Sequence, residues 1–433
     1  MCAPDATLYP VFAALLVVLI GPIHAASFRA VSVLIWALLV GQSLHVADLA
    51  RAVPNLKAAG ARQAMRRVRR VLGRAPLTSL VLTPHLIAIA LRLVSDETVT
   101  LVLDSTRCLR WEVFTLGVVF HGRVLPVSWS ILPYPWPRNR YTPTVVALIE
   151  HTLFYWPTSR SLHLVADRGF PSLKLFGCLE CWRTRLSLGY TIRLRAGDWV
   201  YLADGRHLRL ADLMNALAAD KWTSWVASYS HRKKASPSAV LVIGYSQPEY
   251  PAHQRGPADQ ARREARAKRR QAHLLSKGQP KAPETDRVWA LLTTAPTVVE
   301  ARRRYGLCFH TEGTYRDLKA WGLEDVAAHE TDPQHLTGLI GLAVLGYHIQ
   351  ASIGAVAGCA SSTLVQARQR QWSTADRLSV FWRGRQVLHD RAFDWSPWMR
   401  ATLTDLTHQL AHSRTPATLP CHPHPNQQNK EAA

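Results

Sequence analysis

Three acidic residues of this chain have the chemistry and the local settings of a metal-dependent site. Asp104 ends the apolar run Leu101–Leu103 and Asp167 ends Leu164–Ala166, whereas Glu312 lies far downstream in a basic segment with helical spacing. Mg²⁺ prefers hard oxygen ligands and keeps several waters, so a few carboxylates can hold two ions. Two ions about 4 Å apart activate a water and stabilise a leaving oxyanion in phosphodiester cleavage. These carboxylates therefore predict metal-dependent chemistry on a nucleic-acid backbone.

The net charge of the chain favours the same kind of partner. Its 433 residues carry 52 Lys and Arg against 30 Asp and Glu, a formal net charge of +22, which favours a polyanion over a small neutral ligand. A hydrophobic content of 48% is enough for folded domains with real cores. The seven cysteines are scattered and odd in number, which argues against the disulfide framework of a secreted domain and favours the cytoplasm.

Short β-type runs surround the first two aspartates. We predict three strands with a turn at His121-Gly122, then a helix, then a strand that leads to Asp167. The ranges are Val99–Leu103, Trp111–Val119, Val124–Ile131, Val145–Phe154 and Leu162–Ala166. Strands that alternate with helices are typical of an α/β fold. An acidic residue at the end of a strand is well placed for a site, because strand centres are packed and strand ends are open to ligands.

Further downstream, the pattern predicts an insertion followed by a return to the main sheet. Residues 190–286 are rich in β-type runs and contain the basic stretch Arg262–Arg270, which we interpret as an exposed helix or arm. Val288–Thr293 predicts a strand that rejoins the sheet, and Val298–Lys319 predicts one helix. Residues 334–359 predict a long apolar helix that covers the sheet.

The N-terminal 95 residues are predicted to be helical, and two roles are considered for them. Arg66 and Arg70 share a helix face at a spacing of four residues and could track DNA phosphates. The apolar runs Val11–Ile23 and Val31–Val40 raise the alternative of a membrane protein. Each run is shorter than the roughly 20 residues that a spanning helix needs, and no Lys or Arg precedes Arg29, whereas a signal peptide has a positive start. We therefore expect buried helices and no membrane.

One segment resembles a known family. The residues from Tyr305 to Lys319, reading YGLCFHTEGTYRDLK, are similar to the signature helix of bacterial DDE transposases of the insertion-sequence-four family. That signature is Tyr, two residues, Arg, three residues, Glu, six residues and Lys, and here Tyr305, Glu312 and Lys319 stand at those spacings. Three further motifs resemble the family in the same order: Leu103-Asp104-Ser105-Thr106, Asp167-Arg168-Gly169-Phe170 and the strand Trp289–Pro296.

The resemblance implies a ribonuclease-H-like mixed sheet flanked by helices, with a β-rich insertion. Asp104, Asp167 and Glu312 would be the catalytic residues and would bind two Mg²⁺ ions, for which Mn²⁺ can substitute. The partners would be double-stranded DNA, both element ends and target, and a second copy of the chain in a synaptic dimer. No phosphate-binding loop with a following Lys-Ser or Lys-Thr is present, so no ATP is expected.

The resemblance and the basic residues together give the expected DNA contacts. They are Tyr305, Lys319, Arg316, Trp289, Arg168, Arg66 and Arg70. Trp289 would stack on a base flipped from the duplex, although a place in the core is an equally good interpretation.

The same reasoning divides the chain into five parts. These are a helical DNA-end-binding domain at 1–95, the first part of the catalytic core at 96–189, the insertion with its basic arm at 190–286, the second part of the core at 287–360, and C-terminal helices with a tail at 361–433.

Cys308 departs from the family pattern, because it stands where the signature has arginine. A thiol cannot make a bidentate phosphate contact. Two interpretations stay open: an active enzyme in which Arg304, one helical turn earlier, compensates, and a catalytically inactive DNA-binding relic. A further alternative assigns the third metal ligand to Glu324 or Asp325 in place of Glu312.

Overall fold

The computed structural model describes residues 25–53, 60–74, 77–216, 222–231, 234–245, 288–359, 379–390 and 404. The chain divides into two compact units, here called the helical unit and the sheet unit. The helical unit comprises Met1–Ser95, His151–Ser159 and Asp332–Ala433, and the sheet unit comprises Asp96–Glu150 and Arg160–Thr331. The basic stretch Arg262–Arg270 and the apolar run Val11–Ile23 lie outside the described residues.

The described elements have the following bounds. The helices are α1 Ala25–Gly41, α2 Val46–Ala52, α3 Ala61–Arg74, α4 Ser79–Leu93, α5 Tyr141–Phe154, α6 Leu173–Arg183, α7 Leu210–Asn215, α8 Val298–Gly306, α9 His310–Ala320, α10 Leu323–His329, α11 Pro333–Cys359 and α12 Val380–His389. The strands are β1 Thr98–Cys108, β2 Trp111–Phe120, β3 Arg123–Pro133, β4 Ser161–Ala166, β5 Leu188–Arg193, β6 Trp199–Leu202, β7 His207–Arg209, β8 Thr223–His231, β9 Lys234–Ala235, β10 Ala239–Tyr245 and β11 Val288–Thr293.

The sheet unit is built on one mixed sheet of eleven strands. Their order is β3-β2-β1-β4-β5-β11-β10-β8-β6-β7, and β9 pairs with β8. β4 runs parallel to both of its neighbours, β1 and β5, and the other described pairs are antiparallel. The α/β class predicted from the sequence is confirmed, as a large mixed sheet flanked by helices. The predicted return of Val288–Thr293 to the sheet is also confirmed, because β11 pairs with β5.

The first three strands form a meander whose turns follow from local sequence. The turn predicted at His121-Gly122 is confirmed, and both residues have positive φ, 44° and 73°. Positive φ at both central positions is the signature of a type I′ turn, which matches the twist of the flanking strands. At Gly117 the β2–β3 register shifts, and a Cβ there would lie 2.6 Å from the carbonyl oxygen of Leu125. Glycine is therefore required where these two strands approach most closely.

The central strands are buried along almost their whole length. β4 and β11 consist almost entirely of buried residues, and β1 is buried from Val99 to Leu103. A strand covered on both faces has apolar residues at successive positions, rather than an alternation of apolar and polar residues. A polar residue within or directly after such a run, such as Asp104 or Asp167, is therefore an exception that needs a partner.

The single helix predicted over Val298–Lys319 is wrong in one respect, because a 3₁₀ turn at Leu307–Phe309 separates α8 from α9. A 3₁₀ step rotates the chain by about 120° and an α step by about 100°. Three such steps turn α9 by about 60° relative to a continuous helix. Tyr305 of α8 and Thr311 of α9 consequently both reach the carboxylates of the sheet, as described below.

The helical unit contains the basic helix expected near the N-terminus. In α3 the buried residues Ala64, Val68 and Leu72 form one face, and arginines including Arg66 and Arg70 are exposed on the other. The long apolar helix predicted at 334–359 is confirmed as α11. Its packing partners α1, α3, α4 and α12 all belong to the helical unit, so the prediction that it covers the sheet is not confirmed.

Among the described residues, one helix, Pro333–Gly358, is long and apolar enough to cross a membrane, and 89% of its most apolar window is buried. A bent pair, Phe28–Gly41 with Val46–Ala52, passes the same test only if it is taken as one span. A buried core helix of a soluble protein has the same composition, so these helices are weak grounds for a membrane role.

Candidate functional site

Asp104 and Asp167 lie at the same level on two neighbouring parallel strands. The β1–β4 register pairs Leu103 with Ala166, and each aspartate is the next residue of its chain. β4 ends there, whereas β1 continues to Cys108. The carboxyl ends of parallel strands are where α/β proteins bind ligands, because helices and loops leave this edge open. The sheet thus brings together the first two carboxylates predicted from the sequence.

The Asp104 side chain is half-buried, and its carboxylate accepts two hydrogen bonds from its own unit. Thr311 Oγ1 donates to Oδ2 over 2.6 Å, and the backbone N–H of Ser105 donates to Oδ1 over 2.8 Å. Burial raises the pKa of Asp104 from 3.8 to about 6, against the lowering effect of these two hydrogen bonds. The nearby charges of Asp167 and Glu312 contribute to this rise in the pKa of Asp104. Three negative groups therefore interact across this edge of the sheet.

The Asp167 carboxylate is more exposed and is held by a phenol and a guanidinium. Tyr305 Oη donates a 2.7 Å hydrogen bond to Oδ1, and Arg193 Nη1 lies 3.7 Å from the same oxygen. Burial raises the pKa of Tyr305 well above 10, and the charge of Asp167 adds to this effect. The phenol consequently keeps its proton and remains a hydrogen-bond donor at neutral pH.

Glu312 is exposed in the first turn of α9, and the rest of that helix is fixed to the sheet. Thr314 Oγ1 accepts from the backbone N–H of Val124 over 2.8 Å and donates to the Val124 carbonyl over 2.9 Å. The Tyr315 hydroxyl is 2.6 Å from Thr115 Oγ1. These contacts hold the backbone of Glu312 in place and leave its side chain free to change rotamer.

A salt bridge completes the attachment of α9. Arg123 Nε on β3 lies 2.7 Å from Asp317 Oδ2, and the Asp317 side chain is fully buried. Gly313 packs on the same guanidinium, since a Cβ there would lie 2.8 Å from Arg123 Nη1. The helix that carries Glu312 is thus fixed by polar contacts to β2 and β3.

The three carboxylates suit a hard divalent cation in chemistry. They offer only oxygen atoms, and their mutual repulsion is what a bound cation would relieve. In the residues that the structure describes, however, no three His, Cys, Asp or Glu side chains are grouped closely enough to hold a metal ion. For all three carboxylates to hold one metal site, the exposed side chain of Glu312 must therefore turn towards Asp104 and Asp167.

No protein-family model matches the chain, and no curated protein matches it significantly.

The residues expected to contact DNA fall into four groups. Arg316 and Lys319 are exposed on α9, the helix of Glu312, and Lys319 Nζ is 3.1 Å from Glu324. Arg168 directly follows Asp167 and is half-buried. Arg66 and Arg70 are exposed on α3 of the helical unit.

Tyr305 and Trp289 form the fourth group, and both are buried. Trp289 is 7% exposed, and its ring centroid lies 4.7 Å from that of Tyr305 in an edge-on arrangement and 5.8 Å from that of Phe309. The interpretation of Trp289 as part of the core therefore agrees with its burial here.

Arg304, the residue predicted to compensate for Cys308, is paired with Glu300 of its own helix over 2.6 Å. Cys308 is buried, and burial raises its pKa well above 9, to which the charges of Asp104 and Asp167 add. The guanidinium that approaches Asp167 belongs to Arg193 of β5.

Sequence reasoning missed Arg193, Thr311 and Arg195. Arg193 ends the otherwise uncharged strand Leu188–Arg193, just as each aspartate follows an apolar run, and that position was the available signal. Thr311 stands directly before Glu312, but only the 3₁₀ turn directs it to Asp104. Arg195 donates from Nε to the Arg168 carbonyl over 2.5 Å and from Nη2 to the Gly169 carbonyl over 3.0 Å. It thereby braces the loop that follows Asp167.

Proposed function

We propose that this chain is a DNA transposase of the insertion-sequence-four type, with a ribonuclease-H-like core formed by β3-β2-β1-β4-β5. The observation that carries the proposal is the alignment of Asp104 and Asp167 at one level of adjacent parallel strands. The pKa of Asp104 is raised by both other members of the predicted trio, Asp167 and Glu312, which supports their convergence on one site. The basic composition supports a nucleic-acid substrate.

Asp104, Asp167 and Glu312 would hold two Mg²⁺ ions, or Mn²⁺ in their place. When bound, such ions supply an activated water and charge stabilisation at the phosphate. Water attacks phosphorus at the element end, the P–O3′ bond breaks, and the strand is released with a free 3′-hydroxyl. In the second step that hydroxyl attacks phosphorus of a target phosphodiester, a new P–O3′ bond forms, the target's own P–O3′ bond breaks, and the target strand leaves with a free 3′-hydroxyl. Positioning and electrostatics carry most of the rate in phosphoryl transfer.

The protein side chains around the carboxylates have separate tasks in this proposal. Tyr305 and Thr311 orient Asp167 and Asp104 through their hydrogen bonds. Arg193 offsets negative charge at Asp167 from within the protein. Arg316 and Lys319 are exposed beside Glu312 and would contact phosphates of the transposon end. Tyr305 is buried and engaged with Asp167, so we assign it a positioning role.

Because a transposase must process two element ends together, we propose that the chain acts as a dimer in a complex with both ends, in the cytoplasm. Arg66 and Arg70 would add phosphate contacts from α3.

The direct test is strand nicking of a labelled duplex that carries the element ends, with Mg²⁺ or Mn²⁺. Asp104→Asn, Asp167→Asn and Glu312→Gln should each abolish nicking, while binding of the duplex persists. Glu324→Gln and Asp325→Asn remove a carboxylate from α10, the next helix, and serve as matched controls. Normal nicking by both controls would assign the third ligand to Glu312. Loss of nicking in one of them would assign the third ligand to the residue changed in that variant.

A DNA-binding relic is the second candidate, and Cys308 in the place of the signature arginine favours it. A relic binds the same duplex ends but does not nick them with either metal. Binding by the wild-type chain with no nicking, under conditions that keep it folded, would establish this candidate.

A further inference from the structure

The edge of the sheet carries a group of stacked rings that the proposed reaction does not use. His207 of β7 stacks on Tyr201 of β6 with centroids 4.1 Å apart and planes within 16°. The Trp199 ring lies 4.9 Å from the same imidazole. Arg209 pairs with Trp199 across the two strands. These four side chains are called the Trp199 surface below.

The Trp199 surface lies on the same face of the sheet as Asp167 and Arg193. Paired residues of antiparallel strands share a face, and so do residues two apart along a strand. Alternating steps across and along the strands lead from Tyr201 to Arg193. The cross-strand pairs are Tyr201 with Ser228, Val226 with Val240, Val242 with Leu291, and Leu291 with Arg193. Asp167 follows β4, which pairs with β5 of Arg193, and its carboxylate approaches the Arg193 guanidinium.

The surface is open to solvent and has positive rather than negative groups available. Trp199 is 44% exposed, and His207 and Arg209 are exposed as well. Two nearby acids, Asp204 and Asp198, are already engaged. Asp204 accepts hydrogen bonds from Arg206, and Asp198 accepts one from the backbone of Arg195. The surface thus combines exposed ring faces with a guanidinium that can meet a phosphate.

We propose that the Trp199 surface binds unpaired nucleotides of a DNA strand by stacking, with Arg209 on the phosphate backbone. Aromatic side chains beside cationic groups are the arrangement that binds single strands without sequence preference. The inference rests on the proposed function, because strand cleavage at an element end leaves nucleotides that must be kept away from the carboxylates. Their place is the continuation of the same face of the sheet.

The test measures binding of a fluorescein-labelled twelve-nucleotide oligothymidylate and of a duplex of equal length to the full chain, by anisotropy. Trp199→Leu should weaken binding of the single strand about tenfold, and that of the duplex less than twofold. Trp199→Phe and His207→Phe keep a ring and should stay within about threefold of wild type. These two variants also keep the test valid if Trp199→Leu fails to fold.

Trp136→Leu is the matched control, because Trp136 is 41% exposed and lies outside the Trp199 surface. Unchanged binding of the single strand in Trp199→Leu, or an equal loss in Trp136→Leu, would overturn the proposal. The nicking assay on the same preparations distinguishes failure of this inference from failure of the proposed function. A Trp199-dependent single-strand site in a chain that never nicks DNA would leave this inference standing and remove the proposed function.

Discussion

The phenol of Tyr305 donates a 2.7 Å hydrogen bond to Asp167, and the two residues are 138 positions apart in the chain. Tyr305→Phe removes that bond and keeps the ring that packs against Trp289. A hydrogen bond to a charged group contributes about 1.5–3 kcal/mol, so we expect nicking to slow at least tenfold. The measurement is single-turnover nicking at saturating DNA. An unchanged rate would show that the phenol does not orient Asp167.

Arg195 should affect the rate of cleavage more than the affinity for DNA, because it braces the loop after Asp167 through two backbone carbonyls. Arg195→Lys keeps the charge, but an ammonium cannot reproduce the planar two-point contact. We expect both Arg195→Lys and Arg195→Ala to lower kcat about tenfold, with KM for DNA preserved in the lysine variant. Arg206→Ala, which removes an exposed arginine of the β6–β7 turn, is the control. Full recovery of kcat by lysine would indicate a simple charge effect.

Removal of one partner of the salt bridge between Arg123 and Asp317 should strongly destabilise the sheet unit. Arg123→Met leaves the fully buried Asp317 carboxylate without its guanidinium, which costs about 3–5 kcal/mol. The double variant Arg123→Met/Asp317→Leu replaces both charges and should recover most of the loss. Thermal unfolding of the two variants beside wild type gives the comparison. A double variant no more stable than the single one would contradict this account.

His163 should make the protein less stable in acid. Burial lowers the pKa of His163 from 6.5 to about 3, and the charge of Arg304 adds to this. Between these values the unfolded chain binds a proton that the folded chain does not, so stability falls as the pH drops below about 6.5.

His163→Gln removes this titration and can still hydrogen-bond the Thr191 hydroxyl, which lies 2.8 Å from His163 Nε2. Between pH 7.5 and 5, Tm should fall by a few degrees less than in wild type, since the effect is about 1.4 kcal/mol per pH unit at most. His231→Gln, at an exposed histidine of β8, is the matched control for loss of an imidazole. Parallel Tm curves for wild type and His163→Gln would refute the assignment.

The sequence predicts the strands next to the candidate site well, and for a physical reason. Strands buried on both faces need apolar residues throughout, so β1 and β4 are visible as short apolar runs that lead to Asp104 and Asp167. The turn at His121-Gly122 is predicted because few residues accept positive φ. Such features depend only on neighbouring residues, so they can be recognised in the sequence.

The features of the site that could not be predicted from the sequence depend on strand register and on the rotation of α9 relative to α8. The pairing of Leu103 with Ala166 decides that two aspartates 63 positions apart share a level, and no residue near either of them encodes it. The 3₁₀ turn at Leu307–Phe309 rotates Thr311 towards Asp104, and the helical pattern of the segment continues through it without interruption. Arg193 becomes part of the site only because β5 pairs with β4.

The pairing of Tyr245 with Val288 has a consequence for how the gene can change. Between these two residues, at the ends of neighbouring strands, lie 42 residues of the chain (288 − 245 − 1). The strand pairing fixes where both ends of this segment join the sheet, and the entropic cost of joining two chain ends rises only slowly with the number of residues between them. We therefore expect sequence added or deleted between Tyr245 and Val288 to leave the pairing of β10 with β11 in place.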